Sequence, residues 1–165
     1  MQLEELFDYK NRLVYDLLSN EKIVEIISRG FPVDDPADLV YKRIFPYEYV
    51  PETIEEAGTY ICCDVDIQRS YNKTFLEPVI YVWIFTHKSQ IRHSEGGVVT
   101  DKLACEISKT VNGSRFYGLG ELDLYSVRRF APIADYQGKI MTFNAKDFNR
   151  TYTPNKPTPE NRKQW

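Results

Sequence analysis

Cysteine is scarce in this chain and histidine scarcer. Three cysteines, Cys62, Cys63 and Cys105, stand among 165 residues. None shows the CxxC spacing of a zinc site, and an odd number leaves one thiol outside any disulfide framework. They read as small core or half-buried residues of a protein made in a reducing compartment. The two histidines, His87 and His93, have no acid or cysteine at ligand spacing beside them, so loop positions fit better than a general base or a metal site. Excess positive charge is missing too. The net charge of −3 argues against generic duplex DNA binding, which needs a basic face to displace counterions. No apolar run approaches a membrane span. Met1-Gln2-Leu3-Glu4-Glu5 is acidic and amphipathic, unlike a signal peptide. The glycine-rich loops that cradle phosphates are absent, and Ser94-Glu95-Gly96-Gly97 ahead of a helix is at most a faint echo of an anion site.

Aromatic residues are plentiful, at 14% with 12 tyrosines. Tyrosine carries a polar tip on an apolar body, which suits a sheet or a protein–protein contact. Seven apolar residues in a row, Val79-Ile80-Tyr81-Val82-Trp83-Ile84-Phe85, are all β-branched or aromatic. A strand with one wet face alternates, and this run does not, so it predicts a central strand covered on both faces. A helix over residues 98–111 follows, with Val99, Leu103, Ile107 and Val111 on one stripe and Asn112-Gly113 as its stop. That stripe should lie on the sheet.

Leu3, Leu6, Phe7, Leu13, Val14, Leu17 and Leu18 repeat with helical spacing and predict an N-terminal amphipathic helix. Ser19 or Asn20 can cap a second, short helix carrying Ile23, Val24, Ile26 and Ile27 and ending at Gly30. Residues 45–51 are punctuated by proline and read as an edge or extended loop. Thr53 to Glu56 reads as a turn or short helix. Thr59 to Ser70 alternates, with Ile61, Cys63, Val65 and Ile67 forming the apolar face. Residues 121–130 and 139–144 predict two further strands. The sum is an α+β fold: a mainly antiparallel sheet of about four to five strands, an N-terminal helix, and one amphipathic helix packed on the sheet. Residues 1–148 read as one domain. Residues 149–165 hold three prolines and almost no apolar side chain before Trp165, and read as an extended arm.

Three groups of residues bear on chemistry. Asp64 and Asp66 share one strand face and could hold Mg²⁺ in a nuclease, although polar-out alternation, which is what antiparallel sheets do, is the better explanation. Cys105 falls close to the helix stripe and reads as core. Arg115, Arg128 and Arg129, interleaved with Tyr117 and Tyr125, fit either single-stranded nucleic acid or an acidic neighbouring subunit. The acidic chain favours the neighbour. Tyr117, Tyr125, Arg128, Arg129 and Trp165 are therefore interface candidates, with no catalytic, cofactor or metal residue assigned.

In order and size, the elements from Leu3 to Leu18, Thr59 to Ile67, Val79 to Phe85, Val98 to Val111 and the paired strands after them resemble the tail terminator and neck proteins of tailed bacteriophages. The resemblance runs from Leu3 to Asn144. The stretch from Gly30 to Gly58, rich in proline, and the arm depart from it. It implies a virion protein of the neck or tail, made in the host cytoplasm. It also implies a homo-oligomeric ring, commonly a hexamer, bound to the tail tube and head connector, with DNA passing through its lumen. It implies no cofactor and no catalytic residues.

Overall fold

The computed structural model describes residues 2–49, 57–70 and 73–151, and the side chains of residues 68–70 are outside the description. Helix α1 spans Glu4–Leu18 and α2 spans Glu21–Ile27. Asn20 separates them in extended conformation, and its Oδ1 accepts from the Lys22 and Ile23 amides, capping α2. A 3₁₀ turn, Pro36–Leu39, leads to the short strand β1, Ile44–Phe45. Strands β2 (Thr59–Ser70) and β3 (Phe75–His87) pair antiparallel. Helix α3 is Val99–Val111, and β4 (Leu119–Phe130) and β5 (Tyr136–Phe148) complete the sheet. Thr53 to Glu56 lies outside the described residues.

The sheet order is β1-β2-β3-β5-β4. β1 runs parallel to β2, with Ile44 opposite Ile61, and every other pair is antiparallel. The fold is thus α+β with a mixed, mainly antiparallel sheet, and β3 is central as the apolar run predicts.

Helices α1 and α2 pack on β2, and α3 packs on β3 and β5. The stripe Val99, Leu103, Ile107 and Val111 is buried, and it meets Ile61, Cys63, Val65, Ile80, Val82, Ile84, Met141 and Phe143 in one core. Those sheet residues are the odd positions of β2, the even positions of β3 and the odd positions of β5. All therefore point to the same side. Leu13 and Leu17 of α1 reach this core, whereas Leu3 and Phe7 are 60% and 67% exposed. Periodicity names the residues that share a stripe; it does not say how much of the stripe another element covers.

Two further expectations are corrected, and β4 carries an irregularity. β3 is covered fully on one side only, because Tyr81 and Trp83 on the other side are half-buried. Cys105 is exposed. At 100° per residue it sits about 200° round α3 from Leu103, beyond the buried stripe. In β4 the ladder slips between Leu124 and Ser126. The extra residue flips the alternation, so that Leu124 and Val127 pair with Phe143 and Met141 on the helix side while Ser126 turns to the far side.

Candidate interaction surface

On the side away from the helices, the register builds rows of side chains across the sheet. Tyr60, Phe85, Gly138 and Phe130 form one row, and Cys62, Trp83, Ile140 and Arg128 the next. Asp64, Tyr81, Thr142 and Ser126 follow, then Asp66, Val79, Asn144 and Asp123.

The first row is closed over. Phe45, Tyr60, Cys62, Phe85 and Tyr136 make a second, smaller core, with Tyr49, Trp83, Phe130 and Ile133 packed against it. Phe45 stacks on Tyr49 at 4.1 Å between centroids, and Phe85 lies 5.6 Å from Tyr136 edge to face. Gly138 permits this end of the sheet to close. A Cβ there would stand 1.9 Å from the Ile84 carbonyl oxygen. Burial pushes the thiols of Cys62 and Cys63 up to about 12, which keeps them protonated and inert.

Beyond that end the face is half-buried at Tyr81 and Trp83 and fully buried at Val79. Tyr81 and Trp83 stack in its middle. At the far end Phe75 and Phe148 stack at 5.6 Å while 38% and 44% exposed. Aromatic side chains thus stand half-buried in the middle of this side of β3 and exposed at its far end, with buried Val79 between them. Aromatic side chains grouped on one surface mark a candidate contact site.

The predicted interface residues are not brought together. Tyr117 is a core residue, 1% exposed, whose hydroxyl donates to Asp16 Oδ2 at 2.7 Å; burial, and then that bond, push its phenol far above the usual range. Tyr125 sits at the β4 bulge, 67% exposed. Arg128 flanks Ile140 on the aromatic face, whereas Arg129 turns to the helix side and donates to Gln137 Oε1. Arg115 is bound to Glu121 near the other end of β4, so the three arginines do not form one patch. Trp165 lies outside the described residues. The signal that sequence reading missed is Tyr81 and Trp83 themselves: their exposure depends on which side the helices choose, and the apolar run does not encode that choice.

The candidates for catalysis are engaged in structure. Lys10 of α1 pairs with Asp64, while Asp66 is exposed one row away. His87 Nδ1 accepts from the Ser89 amide and His93 Nδ1 from the Glu95 amide, so each caps a turn. Among the described residues, no three His, Cys, Asp or Glu side chains are grouped to hold a metal ion. An open groove of about 780 Å³ runs between residues 15–22 and 106–116; Asn20 Nδ2 bridges it to Thr110 Oγ1 at 2.8 Å, and its Glu106 is paired along α3 with Lys109 at 2.8 Å. No described helix is long and apolar enough to cross a membrane.

No curated protein matches the chain. A family model, YomW, matches residues 5–145, from the second residue of α1 into β5. The family's name resembles that of a phage-region gene product, which points to a phage-associated protein. With most of its length matched, the chain belongs to the YomW family.

Proposed function

We propose that this protein is a structural component of a phage neck or tail, a ring-former of the tail-terminator kind, and not an enzyme. One observation carries the reading: among the described residues three helices lie on one side of a five-stranded sheet, and the aromatic residues of the other side, Tyr81, Trp83, Phe75 and Phe148, suit contact with a neighbour. A surface of this sort gains free energy by contact, at roughly 25 cal/mol for each Å² of apolar area removed from water. Copies of the same chain are the natural neighbours. A ring of identical subunits needs two different complementary patches per subunit, and the aromatic face would be one of them.

The sheet edge is a poorer candidate. β4 ends the sheet order, but two register shifts break its ladder and charged side chains line it. Bulges and charges on an edge discourage strand addition. The role is mechanical: the ring closes the tail tube, docks to the connector, and leaves a lumen through which DNA passes without sequence-specific contact. The mild negative charge of the chain suits a channel that DNA must not stick to.

The test is the particle itself. Purified virions of the phage that encodes the chain should contain it in a small fixed copy number. Loss of the gene should give unjoined heads and tails of uncontrolled length. Virions that lack the protein, or infectious particles formed without it, would overturn the reading.

A further inference from the structure

We infer that the outer face of α1 in one copy docks in the groove between α3 and β4 of the next copy. The inference rests on the ring reading for the claim that copies meet, and it names a contact apart from Tyr81 and Trp83.

The helix layer stops short of the last strand of the sheet. α3 is centred over β3 and β5, and β4 lies beyond them at the end of the sheet order. A groove of about 320 Å³ is left along that flank. Cys105 and Ser108 of α3 line one wall, Leu124 and Val127 of β4 the other, with Met141 of β5 between them. Val127 is 44% exposed although it stands on the helix side of the sheet. One more helix laid beside α3 would cover it.

α1 carries an apolar stripe that its own core does not use. Glu4, Phe7, Asp8, Asn11 and Tyr15 share one face by helical spacing, and all are exposed, as is Leu3 at the helix start. Tyr15 is 67% exposed, like Phe7. The opposite face holds Leu13 and Leu17, which reach the core. The charges are complementary as well. Glu4 and Asp8 flank Phe7, whereas the nearby cations turn aside, Lys10 to Asp64 and Arg12 to Asp16 and the Phe116 ring. The rim of the groove carries Arg129 and Lys139 against the single acid Asp101, which lies 3.0 Å from Lys139. An acidic apolar stripe thus faces a basic apolar groove.

α1 cannot fill the groove of its own chain. Leu13, Leu17 and the 2.8 Å bond from Tyr9 to Asp147 hold its inner face down, so its outer face points away from its own sheet. Asp147 and Met141 are six positions apart on β5, roughly 20 Å at ~3.3 Å per residue. A helix of one copy on the sheet of the next joins two different patches, and repeating that contact closes a ring or extends a filament.

The test uses the full chain carrying Asn11→Cys, which keeps every apolar residue of both patches and makes Cys105 the reporter in the groove. Cys62 and Cys63 are buried and stay out of the reaction. A short bis-maleimide should join the introduced thiol to Cys105 of another copy, giving a ladder on denaturing gels that runs past the dimer. Cys105→Ser should remove the ladder. Phe7→Asp should weaken linking by about tenfold or more, as loss of one buried aromatic contact does. Glu25→Cys, at an exposed site on α2, should give no ladder in place of Asn11→Cys. An oligomer by native mass that links no better through Asn11→Cys than through Glu25→Cys, or equally well after Phe7→Asp, would overturn the inference and leave the ring reading standing. Thiols bridged within a single chain would overturn exchange between copies. A single-chain mass with no ladder would overturn the inference and the ring reading together.

Discussion

Tyr81 and Trp83 stack two residues apart on β3, ring centroids 5.6 Å apart with 26° between their planes, on the side of the sheet that carries no helix. Their neighbour Phe85 is fully buried in the small aromatic core. Along that strand face the side chains pass from fully buried Phe85 to half-buried Trp83 and Tyr81.

That gradient separates stability from assembly. Phe85→Ala should cost about 3–5 kcal/mol, as truncation of a fully buried aromatic does. Trp83→Ala, at a half-buried site, should cost about 1–2 kcal/mol and yet abolish self-association. Urea denaturation and sedimentation of the two variants check the contrast. Equal stability losses, or an unchanged oligomer in Trp83→Ala, would count against it.

Asn20 is a joint as well as a cap. Its Oδ1 takes the Lys22 and Ile23 amides at 3.0 and 3.3 Å, and its Nδ2 reaches Thr110 on α3. Asn20→Ala should therefore lose about 1–2 kcal/mol, at the upper end for a cap. Asn20→Asp keeps the acceptor and should recover most of the loss in the same denaturation experiment.

Gly138→Ala should be worse tolerated than its small size suggests. The added Cβ would meet the backbone of Ile84 and Phe85, at 1.9 and 2.8 Å, and a backbone cannot swing aside as a side chain can. A loss of about 3 kcal/mol, the upper end of overpacking, is expected in thermal or urea unfolding. A neutral result would mean that the closed end of the sheet is looser than described.

Stability should fall above pH 9. Burial raises Cys62 and Cys63 from 9.0 to about 12. The folded state holds these protons where the unfolded state releases them. The stabilisation is thus complete below pH 9 and is lost as pH climbs toward 12. Tyr9 and Tyr117, raised first by burial and then by their bonds to Asp147 and Asp16, add the same sign above pH 10. Urea midpoints at pH 8 and pH 10.5 should differ, and replacing both cysteines with alanine should shrink the difference.

Asp64→Asn should leave assembly unchanged and shift stability by less than about 1 kcal/mol, since it removes a partly exposed ion pair to Lys10. The same variant addresses the nuclease alternative. Mg²⁺-dependent DNA cleavage by the natural chain that disappears in Asp64→Asn or Asp66→Asn would replace the structural reading with an enzymatic one.

Much of the fold was legible because local chemistry and global packing agree. The stripe of α3, the alternation of Ile61, Cys63 and Val65, and the unbroken apolar run of β3 each name an element and its buried side. The parallel pairing of β1 was not legible, because two residues ahead of Pro46 carry no register information. The bulge in β4 was hidden because one extra residue leaves composition unchanged while reversing which side chains face in. The aromatic side of the sheet was hidden for a related reason. Tyr81 and Trp83 are as apolar as Val82 and Ile84, and only the placement of the helices decides which pair is fully buried.

The central claim is that Tyr81 and Trp83, on the side of the sheet away from the described helices, serve contact with other copies of this chain. Native mass measurement of the intact protein at micromolar concentration tests it most directly. The account predicts a closed assembly at a whole multiple of the 19.4 kDa chain that collapses to single chains in Trp83→Ala. A natural chain that stays at the mass of one copy, or an assembly indifferent to Trp83, would contradict it.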